Sequence, residues 1–344
     1  MEGFNVAVVG AGAVGEEMLN VLHQRKFPVK SVKVLARSAR EISVNGRKYD
    51  VRETNASEFD GVDVALFAGT EGASKEYGWE AAKRGAVVID NSATFRMDTE
   101  VPLVVPECNP ADVDWHKGII ANPNCSTIQM VVALKPLHAR SRITRIVVST
   151  YQAVSGTGRD AIEELDQQST LIVHGRKVKN SNVYPYQIAF NLLPHIGSFR
   201  DDGYTSEEWK MVEETHKILG DSDIKVTPTT VRVPVFNSHS EAVYIETEEK
   251  ISRDEARELL AGSPGVVIVD DPKPTSSDAK CRTYPLPIDA SGRDEVFVGR
   301  LREDPFIPNG LNMWVVSDNL RKGAALNAVQ IAELLVSRGK LKAK

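Results

Sequence analysis

The sequence has few cysteines and no long apolar segment, and both absences restrict the class of protein. Its 344 residues include three cysteines, Cys108, Cys125 and Cys281. An odd, small number of cysteines does not indicate a disulfide framework, and no Cys/His spacing is typical of zinc, so no metal site is expected. No run of about 18 apolar residues suggests a membrane span, and the N-terminus lacks the pattern of a signal peptide. We therefore expect a cytoplasmic protein without a membrane partner.

The chain also lacks an excess of positive charge. Its 42 basic and 47 acidic residues give a formal net charge of −5, which provides no electrostatic argument for binding nucleic acid or an anionic membrane. Apolar residues make up 42% of the chain, a composition typical of a globular protein. A chain of this length can bury a large core and suggests two domains.

Strands and helices alternate through the first third of the sequence. Apolar runs of strand length occur at 4–10, 31–36, 62–68 and 86–90. Helical periodicity separates them at 14–25 and in the segment that ends near residue 84, and Asn45-Gly46 predicts the turn of a hairpin at 41–51. This alternation predicts a Rossmann-type, doubly wound parallel sheet of the α/β class.

The pattern changes after residue 124. Helices are expected at 126–138, 157–172, 205–219 and 252–262, and strands at 143–152, 224–233, 239–249, 295–301 and 311–317. These segments predict an α+β domain with a mixed, mostly antiparallel sheet. A final amphipathic helix at 322–337 could return to the first domain, which gives domains of 1–124 plus 318–344 and of 125–317. Residues 271–294, rich in Pro, Ser, Asp and Lys, are expected to form a long exposed loop.

A glycine-rich turn joins the first strand to the first helix, and it reads Gly10-Ala11-Gly12-Ala13-Val14-Gly15. In such a motif the first glycine makes the tight turn, the second lets the backbone approach a pyrophosphate, and the third lets helix and strand pack closely. The strand–turn–helix context favours a dinucleotide site. The alternative is a glycine turn in a Rossmann-like domain with no bound nucleotide.

The end of the second strand bears on the choice between NAD and NADP. NAD enzymes usually place an acidic residue there to bind the ribose 2′-hydroxyl. Here the strand is followed by Arg37, Ser38 and Arg40, with no acid before Glu41. A guanidinium suits a 2′-phosphate because it offers charge-assisted, bidentate hydrogen bonds. NADP is therefore favoured, although two solvated loop arginines would give the same pattern.

Cys125 lies where a helix is expected to begin, in the segment Asn122-Pro123-Asn124-Cys125. The free N–H groups and the dipole of a helix N-terminus stabilise a thiolate. A thiolate can displace phosphate from an acyl phosphate and hold the acyl group as a thioester, which accepts hydride more readily than a carboxylate. A buried structural cysteine is the other interpretation, and this segment alone does not decide between them.

Five segments of the chain resemble the aspartate-semialdehyde dehydrogenase family: DNSATFRM (90–97), NPNCSTIQM (122–130), TYQAVSGTG (150–158), EEWK (207–210) and VRVPVFNSH (231–239). The similarity extends in order over nearly the whole chain. It implies a Rossmann domain with a returning C-terminal helix and a catalytic domain that forms the dimer interface.

The resemblance also implies roles for individual residues. Cys125 would be the acyl-thioester nucleophile, Gln152 would orient the thiol or the substrate carbonyl, and His239 would be the acid/base, titrating near neutral pH and taking the thiol proton. Binding of substrate and phosphate is implied for Arg96, Asn124, Glu207, Lys210 and Arg232. Cofactor contacts are implied for the turn from Gly10 to Gly15 and for Arg37, Ser38, Ser155, Gly156 and Asn319.

The activity implied is the NADPH-dependent reduction of L-4-aspartyl phosphate to L-aspartate 4-semialdehyde, in the synthesis of lysine, threonine and methionine. The implied partners are this small-molecule substrate, inorganic phosphate and a second copy of the chain, with a tetramer as the open alternative. One departure concerns the glycine turn, since the family commonly carries a longer GATGAVG-like turn. The local contacts to the pyrophosphate must therefore differ here.

Three other functions remain to be separated. N-acetyl-glutamyl-phosphate reductase shares the thioester chemistry, but its cysteine segment typically resembles NPGCYPT. Glyceraldehyde-3-phosphate dehydrogenase would carry an SCTTN-like segment, which this sequence lacks. A non-catalytic nucleotide sensor with a Rossmann domain would need none of Cys125, Arg232 and His239.

Overall fold

The computed structural model describes residues 3–272 and 283–343. The chain forms two compact units. The first comprises Met1–Asn124 and Ala324–Lys344, and the second comprises Cys125–Gly323. The chain thus passes into the second unit once and returns once, between Gly323 and Ala324. The return was predicted between residues 317 and 318.

A seven-stranded sheet with the order β3-β4-β2-β1-β5-β6-β7 forms the centre of the first unit. Its strands are β1 (Phe4–Val9), β2 (Val29–Ala36), β3 (Arg40–Val44), β4 (Arg47–Glu53), β5 (Val64–Phe67), β6 (Val87–Asp90) and β7 (Ile119–Ala121). All neighbours are parallel except β3 and β4. The predicted Rossmann-type parallel sheet is confirmed, although the three-residue strand β7 was too short to detect in the sequence.

Three helices accompany this sheet: α1 (Ala13–Gln24), α2 (Glu71–Lys83) and α8 (Leu326–Ser337). The returning helix α8 packs against α1, and the two helices bury apolar side chains such as Met18 and Val329 in one core. A buried amide fixes α8 further, because Asn327 Nδ2 donates to Val104 O at 3.0 Å and to Asn122 Oδ1 at 2.7 Å. The C-terminal helix is therefore bonded to the segment that leads out of the unit.

The hairpin between β3 and β4 turns at the predicted dipeptide. Asn45 and Gly46 both have positive φ, 50° and 78°. Two consecutive left-handed residues are the requirement of a type I′ turn, which Asn-Gly satisfies best. The hairpin is confirmed, and its strands extend one residue before and two residues beyond the predicted 41–51 segment.

The second unit contains a six-stranded sheet with the order β11-β12-β13-β10-β8-β9. Its strands are β8 (Ile143–Gln152), β9 (Lys225–Arg232), β10 (His239–Thr247), β11 (Val266–Ile268), β12 (Val296–Glu303) and β13 (Gly310–Ser317). The two outer pairings are parallel and the three inner pairings are antiparallel. The predicted mixed, mostly antiparallel sheet is confirmed.

The helices of the second unit are α3 (Cys125–Arg140), α4 (Arg159–Val173), α5 (Ser206–Leu219), α6 (Arg253–Ala261) and α7 (Pro287–Ala290). α3 packs on the central strands of the sheet, α5 on β9, and α6 on β11 and β12. None of the helices within the described ranges is long and apolar enough to cross a membrane.

Two expectations for the C-terminal third were wrong in detail. The predicted loop at 271–294 contains α7, because Pro287 at the first helical position is pre-organised for a helical turn. Residues 273–282 of that loop, including Cys281, lie outside the described residues. The final helix, predicted from residue 322, begins with a π-helical turn at Arg321–Ala325 and becomes α-helical at Leu326.

Candidate active site

Two of the predicted site residues meet at the ends of neighbouring parallel strands. β8 and β9 run in register to their last residues, where Gln152 pairs with Arg232. Because side chains alternate along a strand, paired residues on adjacent strands lie on the same face. Both side chains are buried. The sheet therefore holds an amide and a guanidinium side by side inside the second unit.

Arg232 is a buried cation, and its side chain has a hydrogen-bond donor without a partner in the described residues. It is 5% exposed, and its Nη1 donates to the carbonyl oxygen of Ala153 at 2.6 Å. Its Nε has no hydrogen-bond partner within the described residues. The backbone is fixed by two hydrogen bonds with Leu193, of 2.8 and 3.0 Å. A buried guanidinium in this state can receive a carboxylate in bidentate geometry.

His239 begins β10, and its imidazole is held in one tautomer. The residue is 0% exposed, and its Nδ1 accepts the backbone N–H of Ala153 at 3.0 Å. Nδ1 is therefore unprotonated, and the ring proton lies on Nε2. Nε2 has no hydrogen-bond partner in the described part of the chain. His239 thus presents a free N–H donor.

The expectation that His239 titrates near neutral pH was wrong. Burial, and to a lesser extent the charge of Arg232, hold the pKa of His239 well below its usual range. A proton on Nδ1 would also face the N–H of Ala153. The imidazole is consequently neutral and offers a donor at Nε2, and its role as the acid/base stays a prediction.

A strained turn presents His239 to the sheet. Ser238 has a φ of 73°, which is unusual for a residue other than glycine. Its N–H donates to Asn319 Oδ1 at 2.9 Å, and Ser155 Oγ donates to the same oxygen at 3.0 Å. Asn319 and Ser155, two of the predicted cofactor residues, therefore hold the turn before His239. Their contact with a cofactor stays a prediction.

Gly156 packs closely against Arg232 and His239. A Cβ at this glycine would lie 2.9 Å from Arg232 Nη1 and 3.2 Å from His239 Nε2. Such distances are shorter than ordinary van der Waals contact, so a larger residue at this position would displace these side chains. The two donors therefore lie close together beside the glycine, and the pair can bind an oxygen or a carboxylate that reaches them.

The first turn of α5 adds a carboxylate and an ammonium. Glu207 is buried, and its Oε2 accepts from Lys210 Nζ at 3.3 Å. Its Oε1 lies 3.5 Å from Gln152 Nε2, at the limit of a hydrogen bond. These three predicted residues therefore form one chain of polar contacts that leads from the strand end to the half-exposed ammonium of Lys210.

A capping box sets the position of that helix turn. The Thr205 hydroxyl accepts the N–H of Glu208, and the Glu208 side chain accepts the N–H of Thr205. Glu208 Oε1 also accepts the N–H of Thr230 on β9 at 3.0 Å. Because one carboxylate bonds both the helix start and the strand, Glu207 and Lys210 are fixed relative to Arg232.

Cys125 is the first residue of α3, as expected for a nucleophile at a helix N-terminus. Its side chain is half-buried. One helical turn later, Gln129 Oε1 accepts from Ser317 Oγ at 2.8 Å. Ser317 pairs directly with His239 across β13 and β10. The helix that begins with Cys125 is therefore bonded to the neighbour of the imidazole.

Gly323 supports the nucleophile through a close approach. A Cβ at Gly323 would lie 2.7 Å from Cys125 Cβ and 3.2 Å from its Cα. Since such distances are shorter than van der Waals contact, the π-helical turn can pack against Cys125 only with glycine at this position. π-Helical turns within α-helices often occur at functional sites.

Gly323→Ala is expected to displace Cys125 and to reduce the turnover proposed below by about 10- to 100-fold, because misplacement of a reacting group by a fraction of an ångström is costly. Steady-state kinetics and the rate of Cys125 alkylation by iodoacetamide measure the effect. Gly72→Ala is the matched control, since that helical glycine has open space around its Cβ direction. Equal activity of both variants would contradict the supporting role of Gly323.

The glycine turn of the first unit has the features expected of a dinucleotide site. Gly10 has a φ of 110°, and a Cβ at Gly15 would overlap the carbonyl oxygen of Gly10. A Cβ at Gly12 would meet no atom within 4 Å, so the turn has open space in front of the α1 N-terminus. This backbone fits a bound pyrophosphate even though the turn is short.

The end of β2 carries the residues predicted to select NADP. Arg37 and Ser38 are exposed, and Arg40 Nη2 donates to the carbonyl oxygen of Ala11 at 3.1 Å. The first acid, Glu41, forms an ion pair with Lys48 at 2.9 Å. A guanidinium therefore lies beside the glycine turn, and the nearest following carboxylate has a lysine partner.

Two predicted substrate residues, Arg96 and Asn124, belong to the first unit, and both are buried. Arg96 Nη2 donates to the carbonyl oxygen of Asn91 at 2.8 Å. Next to this segment, burial raises the pKa of Asp90, whose carboxylate accepts the hydroxyls of Ser74 and Ser92 at 2.6 Å. The loop with Arg96 is thus anchored at the end of β6.

Some buried polar residues of the second unit were not among the site residues predicted from the sequence. Gln129, Ser317 and Glu241 are fully buried; Gln129 lies on α3 with Cys125, Glu241 lies on β10 with His239, and Ser317 ends the neighbouring strand β13. Gln129 belongs to the segment NPNCSTIQM, and Glu241 lies two residues after His239, where a strand returns to the same face. In the described ranges, His, Cys, Asp and Glu side chains form no group of three or more that could hold a metal ion.

Comparisons with known proteins identify the family of the chain. The model of the semialdehyde dehydrogenase NAD binding domain matches residues 5–116, and that of the semialdehyde dehydrogenase dimerisation domain matches residues 134–322. Similar chains include aspartate-semialdehyde dehydrogenases of Aquifex aeolicus, 54% identical over 98% of this chain and 99% of that one, and of Bacillus subtilis, 48% identical over 97% of each.

Solved structures show the same relationship. The crystal structure of aspartate semialdehyde dehydrogenase II from Vibrio cholerae is 47% identical, with a TM-score of 0.90 over 97% of this chain and 99% of that one. A structure of the V. cholerae enzyme complexed with ASA has 46% identity and a TM-score of 0.91 over 98% and 99%. The chain belongs to the aspartate-semialdehyde dehydrogenase family.

Proposed function

We propose that this oxidoreductase reduces L-4-aspartyl phosphate to L-aspartate 4-semialdehyde with NADPH, and that the reaction is reversible. The observation that carries the proposal is that two buried donors, Arg232 and the His239 Nε2–H, lie close together beside Gly156. The guanidinium suits the α-carboxylate of an aspartyl group. The relative from V. cholerae, whose fold is closely similar, is described in complex with ASA.

Cys125 performs the covalent step. Its thiolate attacks the acyl carbon, a C–S bond forms, and the C–O bond to phosphate breaks as phosphate leaves with the electron pair. NADPH, when bound, supplies the hydride that brings the thioester to the aldehyde level. The C–S bond then breaks, the sulfur keeps the bonding electrons, and the thiolate is regenerated.

His239 stabilises the oxygen of the reacting carbonyl. Its Nε2–H is a neutral donor in a water-poor environment, fixed by the N–H of Ala153. Such a donor interacts more strongly as negative charge develops on the oxygen, and a single donor of this kind contributes about 10²- to 10³-fold to turnover. Lys210 supplies positive charge for the phosphate group.

The NADP preference predicts a selective effect at Arg37. Arg37→Ala is expected to weaken NADPH binding by about 10- to 100-fold, on the scale of a charge-assisted contact to phosphate. NADH binding should change little, because NADH lacks the 2′-phosphate. Fluorescence titration with both nucleotides measures the two affinities, and Arg47→Ala on β4 is the control. Equal losses for both nucleotides would remove Arg37 from 2′-phosphate recognition.

We also propose that the second unit mediates a homodimer. The region matched by the dimerisation-domain model includes the outward-facing side of the sheet, where Tyr151 is 36% exposed. Its ring lies 5.5 Å from that of Trp314 on β13. Aromatic side chains of this kind are enriched at protein–protein interfaces. A tetramer and a cytoplasmic location stay predictions from the sequence.

The test of the function is an omission assay in the oxidative direction. Aspartate semialdehyde, inorganic phosphate, NADP and the protein are combined, each is left out in turn, and NADPH absorbance is followed. Phosphate-dependent reduction of NADP supports the proposal. Activity with N-acetyl-glutamate semialdehyde instead would keep the chemistry and change the substrate, an alternative that the relatives do not favour. No reaction with either aldehyde would favour the hypothesis of a non-catalytic nucleotide sensor.

A further inference from the structure

A second buried polar pair lies behind the residues of the proposed mechanism. Gln129 follows Cys125 by four residues on α3, and Glu241 follows His239 by two residues on β10. Four residues make about one helical turn and two residues return to the same strand face, so each lies directly behind its partner. Neither Gln129 nor Glu241 has a role in the chemistry described above.

Glu241 has the environment of an uncharged acid. It is 0% exposed, and neither carboxyl oxygen has a hydrogen-bond partner among the residues that the structure describes. Burial raises the pKa of Glu241 well above its usual range, and the nearby amide of Gln129 acts in the opposite direction. An ionised carboxylate without a cation or several donors would be strongly disfavoured at this depth.

The groups around Glu241 are neutral polar or apolar. Thr150 on β8 and Val315 on β13 pair with it in the sheet. From α3 it faces Gln129, whose Nε2 reaches no partner within hydrogen-bond distance in the described residues. On its own strand, the neutral His239 lies on the same face. A carboxylic acid, with one donor and one acceptor, complements the carbonyl and amino groups of a primary amide.

We propose that Glu241 is a positioning residue that acts as an uncharged carboxylic acid and, through Gln129, holds the start of α3 with Cys125 against the strand that carries His239. The role rests on the proposed function, because it serves the thiolate and the carbonyl oxygen of that reaction. An uncharged group is also required for an electrostatic reason. A negatively charged carboxylate at Glu241 would destabilise the negative charge on sulfur and on the reacting oxygen.

Two substitutions separate this role from that of a carboxylate. Glu241→Gln keeps the shape and an uncharged polar group, so most of kcat should be retained. Glu241→Leu keeps the volume but removes the polar group that faces Gln129, so kcat should fall by about 10- to 100-fold with little change in KM. Glu214→Gln, at another buried glutamate seven residues beyond Glu207 on α5, is the control. Loss of activity in Glu241→Gln comparable to that in Glu241→Leu would overturn the proposal, as would full activity of Glu241→Leu.

Two further measurements do not depend on turnover. Alkylation of Cys125 by iodoacetamide, followed by mass spectrometry, should be slowed in Glu241→Leu and normal in Glu241→Gln. The infrared spectrum of the wild type should contain the carbonyl stretch of a buried protonated carboxylic acid that Glu241→Gln lacks. Absence of that band would overturn the uncharged state. Because both measurements omit substrate, they would stand even if the omission assay showed no activity.

Thermal unfolding gives a third reading of the charge state. Above the ordinary pKa of glutamate, the unfolded chain releases the proton that folded Glu241 retains, so this residue lowers stability as pH rises. Glu241→Gln removes the dependence. Its Tm should therefore exceed that of the wild type near pH 8, and the difference should shrink towards about pH 5. A difference that grows as pH falls would contradict the proposal.

Discussion

Cys125→Ala is expected to abolish phosphate-dependent reduction of NADP, a loss of about 10⁴-fold or more, which is the scale for removal of a covalent nucleophile. The affinity for NADPH should be unchanged, because the glycine turn and the end of β2 lie in the other compact unit. The omission assay gives the rate, and fluorescence titration gives the affinity. Incubation with radiolabelled aspartyl phosphate in the absence of NADPH, which stops the reaction at the thioester, should label the wild type and leave the variant unlabelled.

Cys108→Ala provides the matched control for that loss. Cys108, in contrast, is buried in the first unit and does not begin a helix. Its removal should leave the rate near that of the wild type. Retained turnover in Cys125→Ala would exclude the thioester, whereas equal losses in both variants would point to general damage by substitution of a cysteine.

Arg232→Lys is expected to reduce kcat/KM for aspartate semialdehyde by about 100- to 1,000-fold, because truncation of a buried, charge-assisted contact is costly and lysine lacks the bidentate fork. The shorter-reaching ammonium would also lose the 2.6 Å hydrogen bond to Ala153 O. The loss should appear mainly in KM if the substrate carboxylate binds there in both ground state and transition state. Steady-state kinetics over a range of substrate concentrations resolves the two constants.

A substrate without the α-carboxylate sharpens this test. The wild type should process such an aldehyde poorly, and Arg232→Lys should lower that residual rate only slightly, since the missing contact cannot be lost twice. Arg257→Lys on α6 is the control, because this arginine is bound to Asp270 at the surface. An equal loss for both aldehydes would show that Arg232 supports the structure of the site without recognising the carboxylate.

The sequence was most informative where one physical signal dominates. β8 was predicted with its observed bounds, Ile143–Gln152, because ten residues of high β-propensity leave little ambiguity. The glycine turn was recognisable because backbone geometry restricts its residues. The strands β7 and β11, of three residues each, escaped detection since they are too short to show a period.

The candidate site was predictable as a set of residues but not as a set of chemical states. The motif named His239, yet its low pKa depends on burial and on Arg232, which reaches it only through the pairing of three strands. Glu241 carried no recognisable motif, because a strand glutamate is usually solvent-exposed. Charge states of this kind follow from tertiary packing, which sequence periodicity does not describe.

The contact between Gly323 and Cys125 has a consequence for the architecture of the chain. These are the last and the first residues of the second unit, so that unit is an insertion whose two ends touch. Insertions with adjacent ends can be exchanged or circularly permuted at little entropic cost, since closing them requires no long loop. In chimaeras built by exchanging this segment between relatives, the glycine and the cysteine should be transferred together. The boundary of the exchanged segment also contains the proposed nucleophile.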